Sequence, residues 1–436
     1  MMKVHLIGHA TILLKDKNFS LICDPWLEGG SLTNGTIWQY PPRVRNAKDF
    51  KEFKYIYISH DHDDHCHIET SKFIDKKTPI FILNFKDNKN LLYKLKDLNY
   101  KNINIVEPWT KRKIEDDVYI TIFPADTGYA DSSALINYKN YSIYHGNDNV
   151  LSPASYEKIG KLSKVNLSFL PFAALSGYPS SYEFEEETKK KLAEKKKREK
   201  LEVFYKCVRA LNPDVAVPAA ADLHVIGGDV PLLGISTPID AINNAPNDIK
   251  KKLLDMRPED IFSMEEGFIP YKDRDEWDYT EEDKKRFAEL PHVKKVIDQT
   301  NKWLLTENID EENYKKLVKK YFEEGLEKFK NIAKEVGDYI FTLRSTNNKN
   351  LNFDISIDFN DFTISEKFNE NYSKKINIRP EILCKIIKRE YLWSDAHAGL
   401  RMTLDRKPIN NYNIKFWQWI YCLDSFNMNY KPFFKK

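Results

Sequence analysis

The sequence predicts an α+β protein built from more than one unit. Three observations carry that expectation. Short β-branched and aromatic runs separated by turn residues fill the first half of the chain, amphipathic helical stretches lie between and after them, and a strict apolar–polar alternation appears near residue 353. At 436 residues the chain also exceeds what one hydrophobic core usually organises. The expected division is a first domain over 1–235, a Pro-rich extension and helical linker over 236–340, and a small α+β domain over 341–436.

In chain order, the first elements form a β-meander. Val4-His5-Leu6-Ile7, Thr11-Ile12-Leu13-Leu14 and Ser20-Leu21-Ile22-Cys23 read as strands, with Gly8-His9 and Lys17-Asn18 as turns. Asp24-Pro25-Trp26 ends the third strand, and a long loop with Trp38, Tyr40 and Pro41-Pro42 follows. A loop of that length carrying aromatics suggests function. Tyr55–Ile58, Ile80–Leu83, Val118–Phe123, Ala134–Tyr138, Tyr141–Tyr144, Leu167–Leu170 and Asp214–Pro218 are further strands. The mixed charges of 183–204 predict one exposed face of a long helix, with opposite charges near helical spacing. Residues 311–336 fit an amphipathic helix through Tyr314, Leu317, Tyr321, Phe329 and Ile332. Phe353, Ile355, Ile357 and Phe359 alternate as a half-buried strand, and the aromatic-dense end (Trp393, Trp417, Trp419) reads as core or interface.

Composition excludes several classes. A net charge of +3 is too small for bulk attraction to nucleic acid, and no apolar stretch is long enough to span a bilayer. The start of the chain lacks the apolar core of a signal peptide. Five scattered cysteines without a Cys-x-x-Cys pair suit reduced thiols, so the cytoplasm is the expected compartment.

The chemistry concentrates in residues 59–67, Ser-His-Asp-His-Asp-Asp-His-Cys-His. His60, His62, Asp64 and His65 spell H-x-H-x-D-H immediately after a strand, where a turn can aim several ligands at one point. Imidazoles with a carboxylate suit zinc, iron or manganese. Later strand ends bring Asp126, Asp148 and His224, and ligands at one sheet edge converge although distant in sequence. Such a set can hold two divalent ions with a carboxylate between them, Asp148 being the natural bridge. Asp126 as a ligand would add a hard oxygen donor and favour iron or manganese over zinc. The alternative is that Asp126 caps a turn while His145 or Asp131 completes the site. Asp64 is the catalytic candidate among the ligands. Tyr178, in Ser176-Gly177-Tyr178-Pro179, and Trp38 are candidate substrate-stacking residues, with a structural turn equally open for the former. Asp63 and His67 flank the motif as solvated residues, Asp61 has no favoured role, and His397 is expected to be structural.

The H-x-H-x-D-H motif after a strand, with a meander before it and an Asp on a strand end after it, resembles the metallo-β-lactamase superfamily. Gly8-His9-Ala10, Asp24-Pro25-Trp26, Tyr57-Ile58-Ser59-His60, Asn147-Asp148 and Val217-Pro218-Ala219 are similar to the catalytic region of the CMP-N-acetylneuraminate hydroxylases. The likeness runs from residue 1 to about 280 and more weakly to the end. It implies an αβ/βα sandwich over the catalytic 1–235, and a positioning or catalytic role for His9, for which a structural role is equally open. It also implies a di-iron oxygenase that hydroxylates an N-acyl or amino sugar, free or nucleotide-linked, using O2. Those hydroxylases carry a Rieske module, which needs Cys-x-His and Cys-x-x-His pairs. The 436 residues contain neither, so electrons would come from a separate ferredoxin or reductase. The competing expectation is a di-zinc or di-manganese hydrolase of an ester, lactone or phosphodiester, and a remote one is a binding scaffold without catalysis.

Overall fold

A computed structural model of the chain describes all residues except 51–52, 87, 128, 222, 308, 347–350 and 425–436. Two sheets face each other across a shared core. The first has eight strands in the order Gly267–Ile269, Ile261–Ser263, Lys3–Gly8, Thr11–Lys15, Ser20–Cys23, Tyr55–Tyr57, Ile80–Leu83, Ile103–Val106. The second has six, in the order Val215–Ala219, Leu167–Pro171, Tyr141–His145, Ser132–Tyr138, Val118–Pro124, Lys111–Glu115.

Strand periodicity explains the layering. Side chains alternate between the faces of a strand, so a strand covered on both sides must be apolar at odd and even positions alike. In the first sheet, Ile12, Leu14, Leu21, Cys23 and Tyr57 point into the core shared with Ile120, Ile122, Ile136 and Phe169 of the second. Their neighbours Leu13, Ile22, Ile56 and Ile58 pack outward against Leu91 and Leu95 of the helix Asn90–Asp97. The second sheet repeats the pattern. Its outward Phe123, Leu135, Tyr144 and Leu170 meet Tyr156 and Ile159 of Pro153–Leu162, together with Leu201, Phe204, Tyr205, Val208 and Leu211 of Glu186–Leu211. The last five recur at helical spacing, as a one-faced helix requires. The long helix stops where Asn212 turns left-handed (φ 52°) before Pro213. The result is the expected αβ/βα sandwich.

A third, five-stranded sheet runs Thr363–Ser365, Asn352–Asp358, Ile340–Thr346, Lys374–Ile378, Met402–Arg406. Its core draws in Tyr314, Val318 and Phe322 from Glu311–Lys328, and also Tyr182 from the first half of the chain. Tyr182 bridges to Leu404, and Leu404 N donates to Ser181 O at 2.7 Å. The helix expected over 311–336 is two helices. Phe329 leaves helical geometry (φ −109°, ψ 32°), and Lys330–Val336 then packs on Ile414–Cys422. Among the described residues no helix is long and apolar enough to cross a membrane.

Candidate metal centre

Register decides which strand ends meet. Ser20–Cys23 and Tyr55–Tyr57 are parallel with Cys23 opposite Tyr57, so Asp24 and Ser59 leave the sheet side by side. The hairpin Lys3–Gly8/Thr11–Lys15 turns at His9 on the same edge, since Ile12 lies opposite Cys23. In the facing sheet, Pro124 lies opposite Ser132 and Ala134 opposite His145, which brings Asp131 and the 145–148 turn to that edge too. Tyr57 OH and Ser132 Oγ, 2.9 Å apart, and Ser132 Oγ to Ser59 O at 2.7 Å tie the two sheets together there. His9, Asp24 and Asn147 all have left-handed backbones (φ 49°, 45° and 44°). Non-glycine residues adopt that conformation rarely and at a cost, and such residues cluster at functional sites.

Two triads of ligand atoms converge, His9 with Asp64 and His65, and His60 with His65 and Asp148; within each the atoms lie within 4.8 Å of one another. His9 Nε2 is 3.3 Å from Asp64 Oδ2, while His65 Nε2 is 3.3 Å from Asp148 Oδ2 and 3.5 Å from Asp64 Oδ2. His65 is held from behind, its Nδ1 donating to Asp24 Oδ2 at 3.0 Å. Asp24 is fully buried and also accepts from Ser59 N, Ser59 Oγ and His145 Nε2, at 2.8, 2.9 and 3.0 Å. This outer carboxylate fixes the tautomer that leaves the His65 Nε2 lone pair pointing at the cluster.

The electrostatics fit a cation. Burial raises the cost of ionising Asp64 and Asp148, but His65 outweighs it and holds both carboxyls below the ordinary range. Burial likewise opposes charge on His65, and Asp64, Asp148 and Asp24 override it, pushing the imidazole well up. Among the described residues, buried His65 Nε2 and both ring nitrogens of buried His9 have no hydrogen-bond partner. Lone pairs aimed at ionised carboxylates in a buried site are what a divalent ion satisfies, by replacing the proton that His65 otherwise keeps. The donor set of imidazoles and carboxylates suits zinc, iron or manganese.

Other expected residues lie elsewhere. Asp126 is not in the cluster: its Oδ2 accepts from Ser152 N at 2.7 Å and its Oδ1 from Ser155 Oγ at 3.1 Å, so it caps the start of Pro153–Leu162. Asp131 takes the place beside the ligands, with its Oδ1 3.2 Å from His60 Nδ1. His224 is also outside. It sits on Leu223–Val225 opposite Trp38 in a small separate sheet, with its ring 5.8 Å from Tyr40. Trp38 is not a stacking surface, because it is buried against Phe287 and His292 and its Nε1 donates to Gly35 O at 2.8 Å. His62 is exposed, its ring 4.4 Å from that of His60, and it belongs to neither triad. Tyr178 is half-buried and packs on Tyr182 and Phe184 at the junction with the third sheet. Asp63 pairs with Lys94 at 2.6 Å, and His67 Nδ1 caps Ile68–Ser71. Asp24 carries more of the site than its place in a strand-ending Asp-Pro-Trp suggested.

Residues 3–174 match the family model described as "Beta-lactamase superfamily domain". This segment is a metallo-β-lactamase-fold domain. The chain is similar over 95% of its length to a Xenopus laevis protein named cytidine monophosphate-N-acetylneuraminic acid hydroxylase, at 23% identity and covering 71% of that protein. The Cricetulus griseus protein of the same name is 22% identical over 95% of this chain and 74% of its own. Igni18, a metallo hydrolase from Ignicoccus hospitalis, matches 61% of this chain and 99% of its own at 16% identity and a TM-score of 0.41. Both candidate ligand triads draw all their residues from this matched segment.

Proposed function

We propose that the chain is a dinuclear-metal oxygenase that hydroxylates an N-acyl or amino sugar, free or nucleotide-linked. The observation that carries this reading is the extent of the likeness. It covers 95% of this chain, well past the metallo-β-lactamase-fold segment, and the proteins it covers are named hydroxylases of a nucleotide-linked N-acylated sugar. An unrelated hydrolase that shared only the catalytic fold would not be expected to extend the match into the third sheet.

In this reading His65, Asp64 and His9 hold one ion, while His60 and Asp148 hold the other. One imidazole lone pair serves one ion, so His65 cannot be shared between triads; the second oxygen of Asp148 can. Asp148 is also 37% exposed, which leaves that carboxylate open to solvent. A pair of bound irons would supply the activation of O2, with electrons from a separate ferredoxin or reductase. The chain's own residues keep the ligands ionised and oriented, Asp24 through His65 and Asp131 through His60.

The test is metal analysis of protein purified without added metal, followed by anaerobic iron loading and incubation with isotopically labelled O2. A reductase system and a panel of N-acylated sugars and sugar nucleotides complete the assay. Two irons per chain and a product carrying one labelled oxygen atom are expected. A zinc- or manganese-loaded protein that hydrolyses an ester, lactone or phosphodiester, with no labelled oxygen in any product, would replace this reading with the hydrolase one.

A further inference from the structure

Lys374 and Arg406 stand directly opposite each other on the antiparallel pair Lys374–Ile378/Met402–Arg406. Like charges at facing positions destabilise a sheet. Both lie on the face that sends Ile376, Ile378, Met402 and Leu404 into the core, where alternation calls for apolar residues. Lys374 is 2% exposed, and among the described residues its Nζ donates to Tyr182 OH at 3.1 Å and to no carboxylate. Its Nζ lies 4.6 Å from the Tyr182 ring centre and 5.0 Å from that of Trp417, while the Arg406 guanidinium lies 5.0 Å from Tyr182 and 5.2 Å from Tyr178. Arg406 Nε is buried without a hydrogen-bond partner among the described residues. Among the described residues neither cation has a carboxylate within 4.0 Å. Nearby Asp405 is engaged by Tyr372 OH and the Arg406 amide. On the other face Lys375 does have its partner, Glu183, at 2.6 Å.

Two basic groups over one ring, Lys374 buried and Arg406 half-buried, with no carboxylate of the described residues within 4.0 Å of either, are costly unless something negative joins them. We propose that Lys374 and Arg406 form the floor of a site for an anionic oxygen group, phosphate or carboxylate, walled by Tyr178, Tyr182 and Trp417. The arrangement suits that ligand, with a forked guanidinium beside a point charge and aromatic sides that limit water. The wall is rooted at the metal edge. Tyr178 and Tyr182 lie on the segment that follows Leu167–Pro171, and Gly146, two residues before Asp148, donates from its amide to Phe169 O at 2.8 Å. A Cβ at Gly177 would come within 3.4 Å of His397 Nε2, so this segment lies directly against the third unit. The site stands independently of the metal reading, because none of its residues is a ligand.

The experiment is calorimetric titration of the full chain with inorganic phosphate and, separately, with acetate and glucuronate, at constant ionic strength. It is run on the protein as purified and after treatment with a chelator. Saturable binding that survives the chelator is expected. It should weaken at least tenfold in Lys374→Met and Arg406→Gln, recover in Lys374→Arg, and stay unchanged in Lys375→Met. The probe that saturates at the lower concentration identifies phosphate or carboxylate as the group recognised. Absence of saturable binding to all three probes, loss of binding with the metal, or a parent-like titration in Lys374→Met would each overturn the proposal.

Discussion

Asp24 Oδ2 accepts a hydrogen bond from His65 Nδ1 at 3.0 Å, with neither side chain exposed to solvent. The carboxylate therefore acts on the cluster through one imidazole, fixing both its rotation and its protonated nitrogen. Asp24→Asn keeps the shape and removes the charge. Metal affinity, measured by competition with a chromophoric chelator, should fall about 10–100-fold. Affinity equal to the parent's would reduce Asp24 to a structural role.

Asp126 and His224 make the opposite case. Asp126→Ala removes the acceptor for Ser152 N and Ser155 Oγ and should lower stability by about 1 kcal/mol in urea unfolding. His224→Ala opens space beside Tyr40 in the aromatic cluster. Both variants should bind as much metal as the parent, and a missing ion in either would return that residue to the ligand set.

Stripping the metal leaves Asp64 and Asp148 facing the buried His65. Ligands that bind only the folded state stabilise it by mass action, so chelation should lower the melting temperature and re-addition of the ion should restore it. Differential scanning calorimetry reads this directly. A melting temperature unchanged after complete metal loss would mean that the ions bind elsewhere.

The buried Lys374 gives a pH dependence of known sign. Burial first, then Arg406, pulls its ammonium from 10.5 down to about 7. A cation whose folded pKa is depressed destabilises the fold in full below that pKa. The penalty fades as pH rises toward the unfolded value. Lys374→Met should therefore be more stable than the parent at neutral and lower pH in anion-free buffer, and the gap should close between about pH 7 and 10.5. Urea midpoints of the two proteins across that range supply the check. A gap that widens with pH would contradict the assignment.

Strands were legible because both sheets are covered on two faces, so that Leu13 and Leu14, or Ile56 and Tyr57, are all apolar and no helical period competes. The H-x-H-x-D-H turn was legible for a similar reason, since its ligands are local. Long-range ligands were harder. Asp126 and Asp131 both flank the right edge, yet one carboxylate meets Ser152 and the other His60, which residue type alone does not decide. His224 lay beyond a strand end, but the chain turns there into a second small sheet with Ile37–Gln39. Asp24 was visible as a strand-ending residue. Its inward aim depends on a left-handed backbone, which the residue type does not announce.

The pairing of Ser181–Glu183 with Leu404 has a consequence for anyone trimming the protein. Met402–Arg406 is the outermost strand of its sheet, and an uncovered outermost strand offers its amides and carbonyls to any passing chain. Here that border is occupied by a short stretch of the catalytic half, through Leu404 N to Ser181 O and Glu183 N to Leu404 O. A fragment cut near residue 340 would leave both halves with sticky backbone, and self-association of each is the expected outcome. The third sheet is better regarded as a fitted closure of the catalytic half than as a detachable appendix.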